Sequence, residues 1–293
     1  MMPPSPTLDS PGEDRVRRAL GRLQEFSCLL PAVRGALALL RDPDCTCADL
    51  QDILAADQGL SARLLRLANS AYFGVSRDVS SLSTAVTLIG FRRLETMLRQ
   101  ILAAELLDTL SARREDETWK VATASATLAF EISRRHWVGD PEELLGVCLL
   151  HNAGELALRL LFPRDYRKAV ALARSLRRHE AEERIFGVRS ERVGRWLLDA
   201  WNFPVIFGAS CEFRSCPLAD EVDPSLQARI CVVHVAVELA RSSIKGVGER
   251  EAFDALAPEV VGRLELSLRE VAPLYEGLPQ RARLLRQTLE MYG

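Results

Sequence analysis

The chain has 293 residues, of which 48% are apolar and 27% charged, with a formal net charge of −2. That length exceeds the roughly 100 to 200 residues of one ordinary domain, so two subdomains or one domain with an extension are expected. The near-neutral balance excludes a global basic field of the kind that draws nucleic acid or an anionic membrane, and any such binding has to be local.

No apolar run reaches the roughly 20 residues of a membrane span, and Met1-Met2-Pro3-Pro4-Ser5-Pro6 lacks the basic and apolar parts of a signal peptide. A cytoplasmic protein with no membrane partner is expected. Seven cysteines, an odd number scattered along the chain, fit reduced thiols better than a disulfide framework. Neither Cys45-Thr46-Cys47 nor Cys211 with Cys216 has the paired spacing of a zinc site.

In chain order, residues 1–13 carry four prolines and read as a disordered tail. A helix is predicted from about Asp14 toward Phe26. A second follows Leu30-Pro31, with Val33, Ala36, Leu37 and Leu40 at helical spacing. Thr46 with Asp49 resembles a capping pair for a helix burying Leu50, Ile53 and Leu54. The next helix, with Leu60, Leu64 and Leu67 inward, runs into Asn69-Ser70-Ala71-Tyr72-Phe73-Gly74. There Asn69 and Ser70 either hydrogen-bond the backbone at a helix end or contact a ligand.

Ser83 is placed as the cap of a helix holding Ala85, Leu88 and Ile89, and Gly90 separates it from a longer helix with Leu94, Leu98, Ile101 and Leu102 inward. The outer face of that helix carries Arg92, Arg93 and Arg99. With Arg63 and Arg66 they form either a solvated face or a local anion patch. A charged seam from Ser111 to Thr118 precedes a helix from Trp119 to about Arg135. Asp140-Pro141-Glu142-Glu143 then signals a strong helix start.

That helix is expected to carry Leu149-Leu150-His151-Asn152 and to break at Gly154. Further helices are predicted over Leu156 to Leu161, Arg164 to about Arg178 and Ser190 to Trp201, with Asn202 in a left-handed turn before Pro204. A last helical region starts at Pro224 and includes Ala228, Cys231, Val232, Val235 and Leu239.

No Gly-rich phosphate loop, nucleophile elbow, paired CxxC or HExxH occurs. Among the four histidines, His136 and His179 lie in polar helix ends and read as exposed, and His234 reads as a core residue. Cys148 and His151, three apart, would share a helix face as nucleophile and base or as two metal ligands. The apolar neighbours favour a plain core thiol.

His151-Asn152 followed by Gly154, with Leu30-Pro31 and Asn69-Ser70-Ala71-Tyr72-Phe73-Gly74, resembles the HDOD domain, the HD-related output domain of bacterial signalling proteins. Leu88-Ile89-Gly90, Trp119, Gly187, Val193-Gly194 and Trp201 with Pro204 extend the resemblance over residues 22–217 in colinear order. The fold it implies is all-α: an N-terminal helical bundle (14–112) packed on a degenerate HD-phosphohydrolase-like helical core (113–217), with a C-terminal helical extension (218–293).

True HD enzymes hold divalent metal with a histidine, a His-Asp pair and a distant aspartate. By this resemblance those positions read Val121, His151-Asn152 and Val237, so one ligand of four remains. Two further family histidine positions, one before Val193-Gly194 and a pair after Trp201, read Ser190 and Arg214-Ser215.

The function expected is therefore a non-catalytic signalling or regulatory protein with no metal or cofactor. It would act through an unidentified regulatory protein or a small ligand near Asn69, Ser70, His151 and Asn152, shifting the packing between the two halves. One alternative is a residual metal-dependent phosphohydrolase using His151 with Glu155. Another is a sensor of a nucleotide second messenger using Arg63, Arg66, Arg92 and Arg93. Nucleic acid has the least support, and the segment beyond Pro217 is read as covering the core or forming a homodimer contact.

Overall fold

The computed structural model describes residues 11–25, 31–68, 79–110 and 117–292, and every regular element among them is a helix. Asn69 and Ser70 lie outside the described residues, as do the side chains of Arg63 and Arg66.

Helix α1 (Pro11–Glu25) begins three residues before the expected Asp14. Pro11 suits a first turn because the N–H it lacks would have no helical partner there. Gly12 lies so close to a later turn that a Cβ would stand 2.5 Å from the Phe186 carbonyl oxygen. Val16 and Leu20 are buried.

The N-terminal bundle comprises α2 (Pro31–Leu39), α3 (Cys47–Ala55), α4 (Gln58–Ala68), α5 (Leu82–Ile89) and α6 (Phe91–Leu110), which pack on one another. Thr46 and Asp49 form the expected capping box. The cap of α5 is Ser81 rather than Ser83. Ser81 has the extended backbone a cap requires and its hydroxyl accepts from the Thr84 N–H at 3.1 Å, whereas Ser83 is already inside the first turn. Gly90 takes a φ of 78°, which turns the chain into α6.

The second half is built from α7 (Glu117–His136), α8 (Pro141–Leu149), α9 (Ala153–Leu161), α10 (Pro163–Leu172), α11 (Arg178–Phe186), α12 (Ser190–Ala200), α13 (Val205–Phe213) and α14 (Pro224–Ile244). Helix α7 is its axis. Ala122, Ala124, Ser125, Ala126 and Ala129 are all buried on it, and small side chains let α8 and α14 approach from two sides. The helix expected from Arg164 to about Arg178 ends at Leu172 as α10, and a separate helix that the sequence reading did not place, α11, begins at Arg178. Asn202 takes the expected left-handed turn, with φ 57°.

Two assignments change with packing. Helix α1 rests on α9, α11 and α12, so it belongs with the second half rather than with the bundle. Helix α14, assigned by sequence to an extension, is a core element in which Ile230, Val233, Val237 and Leu239 are fully buried. The remaining helices, α15 (Glu249–Asp254), α16 (Pro258–Arg263), α17 (Leu268–Glu276) and α18 (Leu278–Tyr292), follow it, and α18 lies along α7.

Pro141–Leu161 is the one stretch among the described residues with the length and hydropathy of a membrane span. It is interrupted at 150–152, and 67% of its most apolar window is buried inside the fold as α8 and α9.

Candidate functional site

His151 lies in the turn between α8 and α9, not within a helix as its apolar neighbours suggested. The helical backbone ends at Leu149 and resumes at Ala153, and Gly154 is the second residue of α9 rather than a break. Glycine is required at 154 for another reason. A Cβ there would overlap the Ser190 carbonyl oxygen and the Gly194 N–H, so only a bare backbone lets α9 cross α12. Gly194 matches it: a Cβ there would meet Cys211 Cβ at 3.1 Å and Gly154 N at 3.2 Å.

This crossing sets the His151 turn beside the start of α12. His151 is 2% exposed, and its Nδ1 is 2.7 Å from the Cys148 carbonyl oxygen. A carbonyl can only accept, so Nδ1 carries the proton and Nε2 of the neutral ring is a lone pair. Among the described residues neither the buried Nε2 nor the buried Asn152 Oδ1 has a hydrogen-bond partner. Burial, then Arg214 and Arg241, hold the imidazole well below its ordinary pKa. Cys148 is not a nucleophile beside it, because burial pushes its thiol up to about 12.

His151 and Asn152 line a cleft of about 600 Å³. Val121 of α7, Ser190 of α12 and Arg214-Ser215 at the end of α13 line it too, with Arg241 and Lys245 from the last turns of α14. Positions far apart in the chain that the family resemblance singled out thus share one cavity. Val237 is fully buried, one helical turn before Arg241.

Arg214 is 8% exposed. Its guanidinium donates to the His151 carbonyl and its own carbonyl oxygen is 2.8 Å from His234 Nδ1, so both its ends are held. Among the described residues it forms no ion pair. Burial and Arg241 lower its pKa, yet guanidinium stays charged at neutral pH.

Two of the acids near it are already engaged, and Glu191, which also lines the cleft, acts on Arg214 through its charge without forming an ion pair with it. Glu155 pairs with Arg178 at 2.7 Å and accepts from the Tyr166 hydroxyl at 2.6 Å. Burial would raise the Glu155 carboxyl, but Arg178 and Tyr166 outweigh it and hold the group low. Buried Glu182 accepts from Arg178 Nε at 3.0 Å and from the Ser190 N–H at 2.7 Å, which caps α12.

An HD-type metal centre does not fit these residues. Val121 and Val237 offer no donor atom, Asn152 offers a neutral amide, and Glu155 is committed to Arg178. Arg214 adds a fixed positive charge that repels a cation. Among the described residues no three His, Cys, Asp or Glu side chains are grouped to hold a metal ion.

Arg92 and Arg93 do not reach this cleft. They line another groove with Asp140 and Glu142, where Arg93 pairs with Glu142 at 3.3 Å and Arg99 pairs with Glu95. His179, expected to be exposed, is half-buried and lines the His151 cleft. The sequence reading missed Arg178, Arg214, Arg241 and Lys245 as site residues. Two signals pointed to three of them: Arg214-Ser215 stands where the family pattern has two histidines, and Val237, Arg241 and Lys245 recur every fourth residue on one helix face.

The family model of the HDOD domain matches residues 29–215. An uncharacterized protein of Treponema pallidum (strain Nichols) is 26% identical over 170 residues, covering 56% of this chain and 33% of that protein. The chain therefore spans about a third of the length of the curated relative it matches. An HDOD domain protein of unknown function from Geobacter sulfurreducens superposes with TM-score 0.63 at 20% identity, covering 96% of this chain and 99% of that one.

A candidate phosphohydrolase from Shewanella amazonensis SB2B has TM-score 0.63 at 23% identity, covering 94% and 96%. A candidate signal transduction protein from Marinobacter aquaeolei VT8 has TM-score 0.63 at 19% identity, covering 96% of this chain and 65% of that one. At such identities these structures share the fold.

Proposed function

The chain belongs to the HDOD domain family, and from that premise we propose that it is a non-catalytic regulatory protein of bacterial signal transduction. It works by binding a partner protein or small ligand at the cleft around His151. The observation that carries this is Arg214, a buried guanidinium without an ion pair among the described residues, in the cavity where an HD enzyme assembles its metal. Phosphoester hydrolysis of the HD type needs metal-bound water, and the non-catalytic reading is supported by ligand positions that here hold one histidine, an amide and two valines, with the Arg214 charge in the same cleft.

Binding would be felt by the bundle through α6, which packs on both α8 and α9 on either side of the His151 turn. A contact that moved the turn would shift these two packings together.

The test is metal analysis of the purified protein, followed by assays of cyclic dinucleotides and nucleotides with manganese, magnesium or iron. The expected result is no stoichiometric metal and no turnover. Turnover that His151→Ala abolishes would overturn the proposal.

A further inference from the structure

The cleft is strongly built for an occupant that no catalytic role explains. Arg159, Arg178, Arg214, Arg241 and Lys245 face three carboxylates across it. Arg178 is neutralised by Glu155 and Glu182, and Arg241 is half-exposed and paired with Glu238 at 2.9 Å. Arg214 has no such partner among the described residues, although taking a guanidinium out of water is costly unless something compensates its charge. Beside it His151 Nε2 and Asn152 Oδ1 are buried acceptors without donors among the described residues. An unmade hydrogen bond at a buried group costs roughly 1 to 3 kcal/mol, so the pair marks a place where a ligand supplies N–H or O–H groups.

These demands are complementary. The ligand must bring negative oxygens to Arg214 and hydrogen-bond donors to His151 and Asn152 within the same cleft. Inorganic phosphate or sulfate meets the first demand and a neutral sugar or nucleoside the second. We propose that this cleft binds a phosphate monoester whose carbon skeleton carries hydroxyl groups, as a ribose phosphate does. In this site the Arg214 guanidinium acts as the permanent cation that a metal supplies in an HD enzyme.

Arg214 holds the phosphoryl oxygens through its remaining N–H groups, since one of its nitrogens is turned to the His151 carbonyl. His151 Nε2 and Asn152 Oδ1 accept from the hydroxyls, and Lys245 at the rim adds a mobile charge. No bond of the ligand is broken. The inference rests on the non-catalytic reading given above and narrows it to one ligand chemistry.

The experiment is calorimetric titration of the full chain, without added metal, with ribose 5-phosphate, AMP, adenosine and inorganic phosphate. Saturable binding is expected for the two esters, weakening as salt rises, with at least a tenfold loss for inorganic phosphate and no binding of adenosine.

Arg214→Gln should lower ester affinity tenfold or more, with Arg214→Lys recovering part of it. Lys245→Ala, at the rim where folding is not at stake, should lower affinity by a smaller factor and flatten its salt dependence. Failure of both esters to bind overturns the inference and leaves the non-catalytic reading intact. So does binding unchanged by Lys245→Ala and by a folded Arg214→Gln. Metal-dependent ester hydrolysis would instead overturn the non-catalytic reading itself.

Discussion

His151 carries its one proton on Nδ1 because the Cys148 carbonyl faces that edge of the ring, and burial, with Arg214 and Arg241, keeps the ring neutral. Arg214 approaches from the end of α13 and Arg241 from α14, while Glu155 on α9 and Glu191 on α12 line the same cavity. The linkage follows from the sign of the shift. A histidine held low in the fold takes up its proton in the unfolded chain first, so its contribution is fully present above about pH 6.5 and is lost as pH falls from there toward the folded value.

The slope is at most roughly 1.4 kcal/mol per pH unit. Urea unfolding at pH 7.5 and 5.5 should show this loss in the native chain and a flatter dependence in His151→Gln. Equal slopes in the two proteins would show that the fold does not hold His151 neutral.

At the scale of elements, the decisive contact is the crossing of α9 and α12 at Gly154 and Gly194. It sets the His151 turn, the start of α12 and Arg214 around one space, and it rests on backbone meeting backbone. Backbone cannot move aside as a flexible side chain can, so Gly154→Ala should destabilise by about 3 kcal/mol or more, the upper range for overpacking. Chemical denaturation would measure it, and a loss below about 1 kcal/mol would mean that the helices slide apart freely.

Caps act more locally. The Thr46–Asp49 box and the Asp140 cap with Pro141 stand where sequence put them, because a cap depends on residues three or four apart.

Over the whole molecule the buried apolar residues form one cluster, from Val16 and Val33 through Leu98 and Val147 to Leu278. A continuous core couples the bundle to the second half, so the chain should unfold in one transition despite its length. Its four tryptophans, Trp119, Trp137, Trp196 and Trp201, all lie in the second half, whereas circular dichroism reports every helix. The two signals should coincide along a urea titration. A bundle melting ahead of the tryptophans would break the coupling proposed between a ligand in the cleft and α6.

By itself the sequence determined the all-helical class, the caps at Thr46 and Asp140, the left-handed turn at Asn202 and the absence of donor atoms at Val121 and Val237. These follow from spacing along the chain or from the atoms a side chain contains. Only the tertiary structure decided that Arg214, Arg241, Lys245 and His179 share the cleft with His151 and Asn152, and that Arg92 and Arg93 face carboxylates elsewhere. It also showed that Gly154 serves a crossing and that α14 is core. The reason is physical: a charge is a site or a solvated surface according to what lies across from it. Residues 151, 214 and 241 are brought face to face only when α9 closes on α12 and α14 packs against α7.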